Sequence, residues 1–144
     1  MSRRFVVGDI HGCYYTLQKL IEEKIQFTND DLLFFLGDYI DRGPFSKDVL
    51  EYLIKLKYNA QHVYFIRGNH EDMFLKTLEN REYLMTWMYN GAEETLSSFN
   101  IPVSFGYSSI LLRSIPEEIL KFIQEMPFYY ELEDYIIVHA GLNF

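Results

Sequence analysis

The chain has 144 residues, of which 49% are hydrophobic and 17% aromatic, with a formal net charge of −8. That composition excludes disorder, and the length fits one domain, residues 1–144, able to bury a core. The acidic balance excludes a general surface for duplex nucleic acid or anionic membrane, so a phosphate-handling site needs its own local positive charge.

The single cysteine, Cys13, excludes a disulfide framework. It is read as a small buried side chain rather than a nucleophile. The N-terminal apolar stretch is too short for a signal segment and no run reaches the length of a membrane span, so the expected location is cytoplasmic.

Four segments share one shape, an apolar β-rich run followed at once by polar residues: RRFVVGDIHG (3–12), DLLFFLGDYIDRG (31–43), QHVYFIRGNHE (61–71) and DYIIVHAG (134–141). The run at 32–36 reads as a strand buried on both faces. Between the runs lie helical periodicities. Leu17, Leu20, Ile21 and Ile25 share a face over 14–25, and Val49, Leu50, Leu53 and Ile54 share one over 46–57, with Ser46 as its expected cap. The stretch 71–100 reads as mostly helical with breaks near Asn80 and at NGAEE. A further helix is expected over 114–126, stopped by Pro127, and 100–109 reads as an exposed loop. Strand–helix–strand–helix–strand over the first 71 residues gives α/β, a βαβαβ unit with a parallel sheet.

Ligands in open α/β sheets bind beyond the carboxyl ends of the strands. Here those ends carry Asp9 and His11, Asp38 and Asp41, Asn69 and His70, then His139. Taken singly, Asp38 reads as a turn acid, Asn69 as a turn former, His139 as a core histidine and Asp9 as a helix cap. Jointly, four strand ends with metal-competent donors point to bound cations, because bare converging carboxylates repel and resist desolvation. Mixed carboxylate, imidazole and amide donors suit manganese, iron or zinc better than calcium.

GDIHG, GDYIDRG, GNHE and VHAG, in this order and spacing, closely resemble the successive signatures of the calcineurin-like metallophosphoesterases. More narrowly, they resemble the phosphoprotein phosphatase branch, which includes serine/threonine phosphatases and symmetrical diadenosine tetraphosphatases. The resemblance runs from Asp9 to Leu142. It implies a first metal held by Asp9, His11 and Asp38, with Asp38 bridging to a second held by Asn69 and His139, manganese being the expected metal. It implies that Arg42 contacts the phosphate, that His70, oriented by Asp41, protonates the leaving group, and that a hydroxide bridging the two metals is the nucleophile. The implied activity is hydrolysis of a phosphorylated protein or, as the alternative, of a dinucleoside tetraphosphate. A reading of another class is a catalytically weak metal-binding remnant that acts through a partner.

Arg67 is expected to pair with a nearby acid rather than touch substrate. WMYNGAEETL (87–96) resembles a segment written elsewhere in the branch with a second glycine where Ala92 stands, which leaves Asn90 without a settled role. The family continues past VHAGL with a further arginine, a GH motif and closing strands. The resemblance therefore implies half of a four-layer α/β/β/α sandwich, a second metal site short of one ligand, and an open apolar edge that favours self-association.

Overall fold

In the computed structural model, residues 3–102 and 114–141 are described. Strands β1 (Arg4–Val7), β2 (Leu32–Phe35) and β3 (Val63–Phe65) form a parallel sheet in the order β1-β2-β3. Phe5 lies opposite Leu33 and Leu33 opposite Val63. The βαβαβ expectation is met. β2 is central, and its Leu33, Phe34 and Phe35 are buried, as an apolar run without alternation requires.

Helix α1 (Tyr14–Lys19) runs into a π-helical stretch, Leu20–Ile25, and α2 spans Ser46–Asn59. The single helix expected over 14–25 thus changes its winding halfway, and Gln26 closes it in the left-handed region at φ 49°. Leu17 and Ile21 are buried as expected, while Leu20 and Ile25 are only partly covered. Ser46 does not cap α2. Phe45 stands at the cap without a side-chain bond, and the Ser46 hydroxyl turns instead to the Asp41 amide, 3.1 Å away. Cys13 is exposed at the start of α1, not buried.

After β3 come α3 (Asn69–Glu79), a 3₁₀ turn (Arg81–Tyr83), α4 (Leu84–Tyr89) and α5 (Ala92–Ser98), broken where expected. Helix α6 spans only Glu117–Gln124, because Pro116 holds its cap at ψ 137° and biases Ile115 away from helical geometry. The loop expected at 100–109 falls outside the described residues from 103 onward.

The largest departure concerns the fourth polar-ended strand. β5 (Ile136–Val138) pairs antiparallel with β4 (Tyr129–Glu131), not with the parallel sheet. Only four residues join β4 to β5, and Leu132 donates back to Tyr135 at 2.7 Å. So short a link permits a hairpin but no parallel crossover. The hairpin packs on the sheet face opposite the helices. Tyr130 lies 5.2 Å from the Tyr64 ring and 5.9 Å from Phe34. On the other face, Phe35 and Phe65 stack at 5.3 Å beneath the helices, and Phe122 of α6 meets Phe65 edge-on at 5.0 Å.

Candidate metal centre and acid–base dyad

The loops leaving β1, β2 and β3 and the residue after β5 converge at one end of the sheet. Their backbone is unusual. Among the described residues, six non-glycines have positive φ, and four of them, His11 (44°), Asp38 (55°), Asp41 (70°) and Arg42 (65°), lie here. Each left-handed residue costs about 1–2 kcal/mol, so the loops need strong ties. The amides of Ile10 and His11 both donate to the Asp38 carbonyl at 2.9 Å, and that of Gly12 donates to Tyr39 at 2.8 Å. Gly68 must be glycine, since a Cβ there would collide with the Asp38 amide and carboxylate. That close approach sets the N-terminus of α3 against Asp38, with the His70 amide 3.2 Å from Oδ1.

Asp38 is nearly buried and faces two ways. Oδ2 lies 3.7 Å from His11 Nε2 and 3.8 Å from His70 Nε2, while Oδ1 lies 3.5 Å from His139 Nε2. Asp9 Oδ2 stands 3.9 Å from His11 Nε2. Two donor groups result, Asp9–Asp38–His139 and His11–Asp38–His70, each with ligand atoms within 4.8 Å of one another. Asn69 joins through Oδ1, 2.9 Å from His139 Nε2. The five expected ligands Asp9, His11, Asp38, Asn69 and His139 therefore meet around Asp38. His139 reaches the cluster although its strand lies in the other sheet.

The donor chemistry fits cations. His11 Nδ1 is 2.8 Å from the Ile40 carbonyl and His139 Nδ1 is 2.8 Å from that of Leu36. A carbonyl only accepts, so both Nδ1 atoms carry the proton and both Nε2 lone pairs point into the cluster. His139 Nε2 and Asn69 Oδ1 then face each other as two acceptors, an arrangement that a shared cation satisfies. Arg42 sits at the exposed rim with Nη1 3.1 Å from His11 Nε2.

Beside the cluster His70 is completely buried, with Nδ1 2.7 Å from Asp41 Oδ2. Among the described residues its Nε2 has no hydrogen-bond partner, and it faces Asp38. Burial is the largest single influence on His70 and lowers its pKa. The Asp41 hydrogen bond and the Asp38 and Asp41 charges outweigh it, so the pKa is raised overall.

Three neighbours were not legible as functional residues. Glu71 is fully buried and accepts from the amides of Asp38 (2.9 Å), Tyr39 (2.8 Å), Ile40 (3.3 Å) and Gly68 (3.0 Å), binding the β2 and β3 loops together. Burial pushes its carboxyl up to about 7, with the Asp38 charge adding and the amides opposing. A glutamate at the third position of a helix was the available signal. Trp87 and Thr95 both donate to Asp41. For Trp87, the chain's single tryptophan, the signal was an indole N–H that needs a partner once buried.

Arg67 bonds the Gln124 carbonyl at 2.6 Å, lies over the Phe128 ring and comes within 4.0 Å of Asp72, as its structural reading expects. Asn90 turns back to the Thr86 carbonyl of its own helix.

A parallel sheet whose loop ends gather carboxylates, imidazoles and an amide around one shared aspartate defines the class, an α/β metallophosphoesterase. The calcineurin-like phosphoesterase family profile matches residues 2–142, and the chain belongs to that family. It is 42% identical over 89 residues to serine/threonine-protein phosphatase 2 of Escherichia coli K12, a match covering 62% of this chain and 38% of that one. It is 28% identical over 148 residues to the asymmetrical bis(5'-nucleosyl)-tetraphosphatase PrpE of Bacillus cereus strain Q1, covering 96% of this chain and 57% of that one. A Saccharomyces cerevisiae protein serine/threonine phosphatase shares the fold with TM-score 0.63 at 21% identity, over 99% of this chain and 39% of that one. The chain thus spans between about two-fifths and somewhat over half the length of these relatives.

Proposed function

We propose that the chain carries a metal-dependent phosphoesterase site, acting most directly as a serine/threonine phosphoprotein phosphatase in the cytoplasm. The observation that carries this reading is the buried, unpartnered His70 Nε2, 3.8 Å from the carboxylate shared by the metal-competent groups. Asp9, His11 and Asp38 would hold one divalent cation, and Asp38, Asn69 and His139 a second, manganese being the best fit. When bound, the cations supply Lewis acidity, neutralising phosphate charge and acidifying water at the site.

The chain's own residues do the rest. Arg42, at the rim, presents a planar donor fork to phosphate oxygens. Asp41 accepts from His70 Nδ1, so the proton to be transferred sits on Nε2. As the bond from phosphorus to the leaving oxygen breaks, Nε2 gives that oxygen its proton and the ring becomes neutral, still tied to Asp41. Water supplies the new oxygen on phosphorus. Retention of the His70–Asp41 dyad counts against a remnant that merely binds metal, since the five expected ligands include neither residue and Asp41 belongs to no metal-competent group.

A second reading, hydrolysis of dinucleoside tetraphosphates, is favoured by the long match to the Bacillus cereus relative, whose name specifies asymmetrical rather than symmetrical cleavage. Parallel assays with a phosphoserine peptide and with diadenosine tetraphosphate, in manganese, separate the two. Faster release of phosphate from the peptide supports the first reading, and faster cleavage of the dinucleotide replaces it with the second. If neither these substrates nor p-nitrophenyl phosphate is hydrolysed in manganese, the esterase reading falls.

A further inference from the structure

Helices α4 and α5 contribute no residue to the metal-competent groups, yet each sends one polar side chain into the buried ground beneath them. Trp87 Nε1 donates to Asp41 Oδ2 at 2.8 Å, and Thr95 Oγ1 donates to Asp41 Oδ1 at 2.6 Å. Thr95 Oγ1 also accepts from the Asp41 amide at 2.8 Å and lies 3.0 Å from Ser46 Oγ. We infer that Trp87 and Thr95 are positioning residues that lock Asp41 as a fixed acceptor and thereby aim His70 Nε2 at the leaving group. The inference rests on the reading of His70 as the general acid.

One arrangement of protons satisfies all of these contacts with Asp41 as acceptor. An indole nitrogen only donates, and a threonine hydroxyl has one proton. The short contact commits the Thr95 proton to Oδ1, so the Ser46 hydroxyl donates to Thr95. Oδ2 then receives both the indole and His70 Nδ1–H. Three side chains thus meet the two carboxylate oxygens, Thr95 at Oδ1 and Trp87 with His70 at Oδ2, and together they hold Asp41 in one plane. Asp41 is completely buried, so no solvent competes for these bonds. With Nδ1–H pinned to that plane, the His70 ring has a single orientation.

The turn between the two helices does the same for the backbone. The Gly91 carbonyl accepts from the Arg42 amide at 3.0 Å. A Cβ on Gly91, itself at φ 96°, would come within 3.0 Å of Arg42 Cγ. The α4–α5 unit therefore holds residues 41 and 42 in their left-handed conformation, so that one side chain turns inward to His70 and the next outward to the rim. Filling space alone would ask of Trp87 only its apolar surface, which already packs 5.2 Å from the Phe74 ring. It would not place the indole nitrogen on a carboxylate.

The test uses Thr95→Val, which keeps volume but removes the hydroxyl, Thr95→Ser, which restores it, and Trp87→Phe. With metal content unchanged, Thr95→Val should slow turnover of an alkyl phosphate about tenfold or more and that of p-nitrophenyl phosphate much less. Thr95→Ser should recover most of the loss. Combined with His70→Asn, Thr95→Val should add little, because both act through one proton transfer. Independently of turnover, the downfield proton resonance of His70 Nδ1–H should move in Thr95→Val and in Trp87→Phe. A loss equal for both leaving groups, or undiminished in the His70→Asn background, overturns the inference, as does a resonance unmoved in both variants. If instead His70→Asn itself slows every substrate alike, the general-acid reading fails, and the resonance alone decides whether the brace exists.

Discussion

Asp38 presents its two oxygens to different partners, Oδ2 to His11 and His70 and Oδ1 to His139. A carboxylate so placed would serve both proposed cations, so Asp38→Asn should strip more bound manganese than any other single-ligand change. Without metal the same variant should be more thermally stable, because one of two converging carboxylates is gone. Elemental analysis and a metal-free melting curve read both outcomes. Equal metal content in variant and parent would remove Asp38 from its bridging role. The convergence of the eight expected site residues from Asp9 to His139 was legible because they lie in four glycine-bearing strings that directly follow strands. Glu71, Trp87 and Thr95 were not assigned roles. Their partners are backbone amides or a carboxylate that folding alone brings near, up to 54 residues away in the chain.

The elements were legible where periodicity or apolar runs were strong. They were misread where tertiary contacts decide. Ser46 has the composition of a cap, but a buried carboxylate's network claims its hydroxyl. β4 was missed because YYE is too short to show alternation, and without it β5 could not be assigned to a second sheet. One tie at this scale is Arg3, which forks onto Asp31 (2.8 and 2.6 Å) and also reaches the Ile25 and Gln26 carbonyls, joining β1, the π-helical end and the start of β2. The Arg3 hydrogen bond, aided by those from Thr28, holds the Asp31 carboxyl well below its ordinary range. A depressed carboxyl stabilises the fold above its unfolded pKa of about 4 and loses that contribution as pH falls below it. Asp31→Asn should therefore lower the thermal midpoint at neutral pH, and the gap to the parent should close on acidification below about pH 4. A gap unchanged by acidification would show that the ion pair contributes nothing.

Across the whole molecule, the two proposed cation sites would differ in charge. The first would set Asp9 and His11 beside Asp38, while the second would set the neutral amide of Asn69 and His139 beside that same aspartate. Affinity follows ligand charge, so calorimetric titration with manganese should resolve one tight and one weak site. Two equal sites would refute that ordering. Among the described residues, Val6, Tyr135 and Ile136 are each more than half exposed beside the groove between the sheets. Sedimentation should show association that grows with concentration, whereas a constant coefficient would show that this face binds no second copy. His70 is proposed to protonate the leaving group beside the candidate metal cluster. That role is tested most directly by the rates of the parent and of His70→Asn, in manganese, on phosphate monoesters with leaving groups of graded acidity. If His70 is the acid, the variant should lose roughly 10²–10⁴-fold on alkyl esters, a loss that shrinks steadily toward p-nitrophenyl phosphate at constant metal content. The same loss across the whole series would contradict that role.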